Sequence, residues 1–138
     1  MRHYIFEKKA MEPFKILIVE DAPLAMLFAK RILATLGHQA DLATSAEIAL
    51  VLHYQNQYDL ILSDIHLPMM SGFAMVTLIR SCERKYGLPN ANIVLMTSRD
   101  LEEFKTQTVS VGGDGLLKKP LECQPVMALI ESCKAQSL

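Results

Sequence analysis

Cysteine is scarce in this chain and neither sign of charge dominates. The 138 residues include three cysteines, Cys82, Cys123 and Cys133. They cannot all pair within one chain, and their spacing matches no zinc pattern. They read as small buried hydrophobes in a reducing cytoplasm. Fourteen basic side chains face fifteen acidic ones, a net charge of −1. That balance gives no footprint for direct nucleic-acid binding. No apolar run approaches the length of a membrane span, so no membrane insertion is expected. The opening "MRHYIFEKKA" has early positive charge but no continuous apolar stretch, and makes a poor signal peptide. Repeats and low-complexity linkers are missing too.

What is present is apolar and rhythmic. Just over half the residues are hydrophobic, enough to fill one core. Residues 1–13 are mixed in charge and aperiodic, and Pro13 closes them off. They are expected to form a loosely docked or frayed N-terminal extension to a domain over 14–138. From Phe14 onward, short apolar strands are predicted at 15–19, 39–43, 59–63, 92–97 and 114–118. Helical patterns follow each: 22–37 ending at Gly37, 44–55, 72–86, a helix to about Val111 and 122–135. Thr44 and Glu47 stand at capping-box spacing, and Asp100 with Glu103 can open the fourth helix. Five alternations of buried strand and amphipathic helix imply an α/β fold, with a parallel sheet covered on both faces. The last helix ends near the C-terminus, so no second domain is expected.

In open parallel sheets, sites form beyond the carboxyl ends of the strands. Glu20 and Asp21 follow the first strand. Asp64 follows the third, inside "LILSDIHLPMMSG" (60–72). Thr97 and Ser98 end the fourth, and Lys118, Lys119 and Pro120 follow the fifth. Singly, each has an ordinary explanation as turn chemistry or wet surface. Together they bring three carboxylates, a hydroxyl and an ammonium to one end of a sheet. Clustered carboxylates raise one another's pKa, and a hard divalent cation removes that penalty. Mg²⁺ suits the oxygen donors of Asp21 and Asp64 and leaves room for phosphate oxygens. With Lys119 and Thr97 as phosphate partners and Asp64 as nucleophile, the set is equipped for phosphoryl transfer.

At these residues the chain resembles the response-regulator receiver domains of two-component signalling, over about 14–136. "LIVED" (17–21) is similar to the family's acidic pair, and "LILSDIHLPMMSG" to its phosphoacceptor motif. "IVLMTS" (93–98) matches its hydroxyl strand and "LLKKP" (116–120) its Lys-Pro motif. The resemblance implies a flavodoxin-like, doubly wound (βα)5 sheet in order 2-1-3-4-5. It implies Asp64 as phosphoacceptor, with Glu20, Asp21, Asp64 and the His66 backbone carbonyl around Mg²⁺, Glu20 through water. It places Thr97 and Lys119 on the phosphoryl group, with Lys119–Pro120 often cis. It implies a sensor histidine kinase or a histidine phosphotransfer protein as partner, docked chiefly on the first helix, where Leu24, Met26, Leu27 and Phe28 cannot all face the core. Met69 and Met70 are further candidates for partner contact, and a weak homodimer is a further assembly. The tail "VGGDGLLKKPL" resembles receivers of hybrid sensor kinases and phosphorelays.

The sequence departs from the family at Leu116, where relatives carry Tyr or Phe that swings inward on activation. A muted or different readout is therefore expected, changing the face of the fourth helix, fifth strand and fifth helix less than in aromatic relatives. His66 and Arg99 occupy positions that flank the site's mouth in the family. Three other readings compete: an Asp-nucleophile phosphohydrolase, a flavodoxin-like nucleotide or flavin binder, and a degenerate receiver acting as an adaptor. The first usually needs an acid where His66 stands. The second needs a phosphate cradle where "EDAPLA" (20–25) offers acids and a proline. The retained acids, Thr97 and Lys119 argue against the third.

Overall fold

The computed structural model describes residues 14–137. The N-terminal extension expected at 1–13 lies outside the described residues. Strands β1 (Ile16–Val19), β2 (Ala40–Ala43), β3 (Leu60–Asp64), β4 (Asn92–Thr97) and β5 (Gly115–Lys118) form one parallel sheet. Their order is β2-β1-β3-β4-β5, as expected. Helices α1 (Pro23–Thr35), α2 (Ala46–Asn56), α3 (Gly72–Tyr86), α4 (Lys105–Val111) and α5 (Cys123–Ser137) alternate with them. A single 3-10 turn, Leu101–Glu103, precedes α4.

Alternation along the strands builds two cores. Leu17, Val19, Ile61, Ile93 and Leu95 point to one face, where Ala46, Ala49, Phe73, Val76 and Ile79 of α2 and α3 cover them together with Phe104. Ile16, Ile18, Leu60, Leu62, Val94 and Met96 point to the other, under Met26, Ala29 and Leu33 of α1 and Val126, Ile130 and Cys133 of α5. Strand side chains alternate with a period of two, so an apolar run fills both faces at once. β1 and β3 are accordingly buried at every position.

Local chemistry sets the helix ends. Gly37 (φ +84°) ends α1: its N–H reaches the Ala34 carbonyl at 3.0 Å, and the His38 N–H reaches Leu33 at 2.9 Å. This paired geometry satisfies carbonyls left over at the last turn. Ser71 caps α3 by accepting from the Ala74 N–H at 3.2 Å. Two expectations shift here. Ser45, not Thr44, caps α2, accepting from the Ile48 N–H at 3.1 Å. The two hydroxyls offer the same chemistry, and Ser45, with its extended backbone, is the one at the N-cap. Asp100 accepts from the Glu102 N–H at 3.2 Å, but the turn it opens is 3-10 and breaks at Phe104 before α4 begins.

No disulfide links the three cysteines; Cys133 is buried, while Cys82 and Cys123 are only half-buried. No helix among the described residues is long and apolar enough to cross a membrane.

At the amino end of the sheet lies a charged network that no local sequence pattern announces. The Arg80 guanidinium donates to Glu83 Oε1, the Ala91 carbonyl and Asp114 Oδ2, each at 2.8 Å, and to the Gly112 carbonyl at 2.9 Å. Buried Glu83 also accepts from the Ala91 N–H at 2.7 Å. Beside it His53 Nδ1 accepts from the Tyr58 N–H at 3.1 Å. Burial holds the His53 pKa below its usual value; the nearby Glu83 opposes that shift and Arg80 adds to it.

Candidate functional site

The carboxyl ends of β1, β3 and β4 and the loop after β5 meet at one rim. Glu20 leaves β1 buried, while Asp21 next to it is exposed. Asp64 closes β3 at 5% exposure. Parallel pairing puts these strand ends side by side, with Val19 opposite Ser63 and Asp64 opposite Met96. Lys119 follows β5 and is tied back to β4 through its N–H on the Thr97 carbonyl at 2.8 Å. The Lys119–Pro120 peptide is cis.

The Lys119 ammonium bridges two acids, donating to Glu20 Oε2 at 2.8 Å and to Asp64 Oδ2 at 2.9 Å. The second oxygen of each acid accepts from backbone. Glu20 Oε1 takes the Ala22 N–H at 3.2 Å, and Asp64 Oδ1 takes the His66 N–H at 3.0 Å. Burial pushes the Glu20 pKa up, and Lys119 and the Ala22 N–H only partly offset this. The neighbouring Asp64 charge raises it further. For Lys119, burial disfavours the ammonium, but hydrogen bonds to Glu20 and Asp64 outweigh it and its pKa ends above the ordinary value.

One carboxylate oxygen from each of Glu20, Asp21 and Asp64 lies within 4.8 Å of the others. Three hard oxygen donors this close, with one acid exposed to water, fit a small divalent cation that keeps part of its water shell. One ammonium shared between two of three acids leaves negative charge for such a cation to offset.

Thr97 sits on the next strand, fully buried. Its Oγ1 accepts from the Arg99 N–H at 3.1 Å and lies 3.4 Å from His66 Nε2. The structure therefore gathers Glu20, Asp21, Asp64 and Lys119 directly, while the described partners of the Thr97 hydroxyl are the Arg99 amide and the His66 ring. Arg99 pairs with Glu103 and stands over the Phe104 ring.

Close packing supports Asp64 from below. A Cβ on Gly72 would stand 2.5 Å from the Asp64 carbonyl oxygen, so only glycine lets α3 start this near the strand end. In the sequence Gly72 closes the "LILSDIHLPMMSG" motif and starts a helix; its close approach to the Asp64 carbonyl is what the structure adds. Met69 and Met70 part company. Met69 is 96% exposed with φ +71°, whereas Met70 packs against the core and is not an open contact. Beside Lys119 runs an apolar groove of about 390 Å³ lined by Leu24, Phe28, Met96, Pro120 and Leu121.

A family model for the response regulator receiver domain matches residues 16–131. The chain belongs to the response regulator receiver domain family. The receiver is 32% identical over 116 residues to the aerobic respiration control sensor protein ArcB of Escherichia coli K12, covering 84% of this chain and 14% of that protein. It is 32% identical over 118 residues to hybrid signal transduction histidine kinase F of Dictyostelium discoideum, covering 85% of this chain and 11% of that protein. It thus spans less than a sixth of the length of these relatives. Its fold is similar to the receiver domain of sensor histidine kinase PA1611 from Pseudomonas aeruginosa, solved with a magnesium ion coordinated in its active site cleft. The TM-score is 0.76 at 24% identity, over 88% of this chain and 97% of that one.

Proposed function

We propose that the receiver accepts a phosphoryl group on Asp64 from the phosphohistidine of a histidine kinase or a histidine phosphotransfer protein. The observation that carries this reading is the Lys119 ammonium between Glu20 and Asp64 beside a third acid. An Asp64 oxygen attacks phosphorus and forms a P–O bond while the P–N bond breaks; the partner's imidazole, already protonated on its other nitrogen, takes the P–N electron pair and leaves neutral. Lys119 turns from the carboxylate oxygen it now holds to an oxygen of the arriving phosphoryl group, as a point charge on a short tether. The Thr97 hydroxyl donates to another. The His66 N–H on Asp64 Oδ1 fixes the carboxylate plane, so Oδ2 is the oxygen directed at Lys119.

Mg²⁺ is the cation these residues suit. Asp21, Asp64 and the His66 carbonyl would hold it, Glu20 through water, and when bound it neutralises charge on the transferring oxygens. The magnesium in the Pseudomonas receiver and the three oxygen donors here both support that assignment.

The groove beside Lys119 suits the apolar face of a partner helix. Leu24 is 81% exposed and Phe28 45%, close to the acceptor yet outside it. Leu24→Ser with Phe28→Ser is expected to slow transfer from a phosphohistidine protein at least tenfold. Uptake from acetyl phosphate should stay within about twofold, because that donor needs no docking.

Intact-mass measurement after incubation with acetyl phosphate and Mg²⁺ tests the central reading. A gain of one phosphoryl group, absent in Asp64→Asn and abolished by chelator, is expected. Continuous phosphate release over many turnovers without accumulation would instead indicate a hydrolase.

A further inference from the structure

The Thr97 hydroxyl meets His66, and His66 meets more than the acceptor site. Its ring stands edge-on to Phe104, with centroids 5.3 Å apart and planes at 68°. Phe104 in turn tilts against Phe73 of α3 at 6.1 Å. The Arg99 guanidinium lies 5.3 Å from the Phe104 centroid and is paired with Glu103. Phe104 is the junction between the 3-10 turn and α4, and its carbonyl accepts from the Thr108 N–H at 2.9 Å and the Thr108 Oγ1 hydroxyl at 2.8 Å. A continuous line of contacts therefore runs from the Thr97 hydroxyl to the first turn of α4. Leu116 packs against the same core but has neither ring nor phenol.

We propose that His66 and Phe104 carry the readout of the acceptor site in this receiver: a phosphoryl group on Asp64 draws the Thr97 hydroxyl off the His66 ring, and the freed ring lets Phe104, the 3-10 turn and α4 shift. The inference rests on the phosphoacceptor reading above and deepens it. In the proposed state His66 is the Nδ1–H tautomer, whose Nε2 accepts the one proton the Thr97 hydroxyl has to donate while the Thr97 oxygen accepts from the Arg99 amide; in that tautomer the proton cannot serve His66 and a phosphoryl oxygen alike. At 3.4 Å the contact with His66 is long for a hydrogen bond and gives way readily to a charged acceptor. Edge-to-face rings hold a preferred angle, so turning His66 disturbs its contact with Phe104. Both the 3-10 turn and Arg99 follow Phe104, because they are packed on it or bonded to its neighbours. The response is expected across 99–111, while the β5 backbone stays in its parallel pairing with β4 although the Lys118 ammonium touches the Arg99 carbonyl at 2.8 Å.

Amide hydrogen exchange with and without acetyl phosphate and Mg²⁺ tests this, scaled to the phosphorylated fraction measured by intact mass in the same samples. The unaltered chain is expected to change exchange across 99–111 and not across 115–118. In His66→Ala the change per phosphorylated molecule should fall at least threefold. Phe104→Leu, which lies outside the acceptor machinery, should take up phosphoryl as before and lose the response across 105–111. A response of full size in both variants overturns the proposal, as does a response at 115–118 with none at 99–111. Phosphoryl uptake with no exchange response anywhere overturns it while the phosphoacceptor reading stands. Failure of the unaltered chain to gain a phosphoryl group overturns both.

Discussion

Asp64 carries its charge at 5% exposure because three neighbours supply what water would otherwise give: the Lys119 ammonium, the His66 N–H and room at the rim beside Asp21. Burying a carboxylate without such partners is costly. Gly72 belongs to the same account. Gly72→Ala forces a methyl against the Asp64 carbonyl, where 2.5 Å leaves no space, and backbone must move. Overpacking of this kind costs about 1–3 kcal/mol. The expected result is a lower unfolding midpoint together with slower phosphoryl uptake, read by urea titration and by intact mass. Arg99 is exposed, over Phe104 and bound to Glu103, at the position that flanks the mouth in the family. Arg99→Ala is expected to change the lifetime of the phosphorylated form, and an unchanged dephosphorylation rate would return Arg99 to ordinary surface. The acids, Thr97 and Lys119 were legible in sequence because their types and the strand ends they follow are both local facts. The contact between His66 and Phe104 was not, since nothing in a sequence tells a ring which way to face.

Elements were legible in proportion to their burial. β1, β3 and β4 read as apolar runs because both faces are covered, and that is how they are built. β5 opens on a glycine and is only half-buried, yet it pairs from Val94–Gly115 to Thr97–Lys118. The Arg80 network escaped notice because its partners, Gly112 and Asp114, lie 32 and 34 residues away. It joins α3 to the loops before β4 and β5. Arg80→Met would strand Glu83, 2% exposed, without its cation, and breaking a buried pair this way costs about 3–5 kcal/mol. Denaturant unfolding should show that loss, with the acceptor rim at the other end of the sheet still able to take phosphoryl in the folded fraction. His53 adds a pH dependence. Its folded pKa is depressed below 6.5, so the unfolded chain binds the proton more readily. Stability is full above the unfolded value and falls as pH drops through 6.5 toward the folded pKa. His53→Gln should flatten urea midpoints between about pH 7 and 5.

For the molecule as a unit, cation binding should register as stability. Whatever binds only the folded rim raises the unfolding free energy, by about 2.7 kcal/mol at a hundredfold excess over Kd. Mg²⁺ is therefore expected to raise Tm, chelator to reverse it, and Asp21→Asn to blunt it, by calorimetry. The ammonium that links Glu20 to Lys119 spans a separation of 99 residues. Drawing those ends together is paid in chain entropy that only the finished sheet returns. A nascent chain still short of its last strand, or a fragment cut before it, has the aspartate but lacks the hand that steadies the incoming charge. The acceptor rim is thus complete only when the last strand and the lysine that follows it are in place.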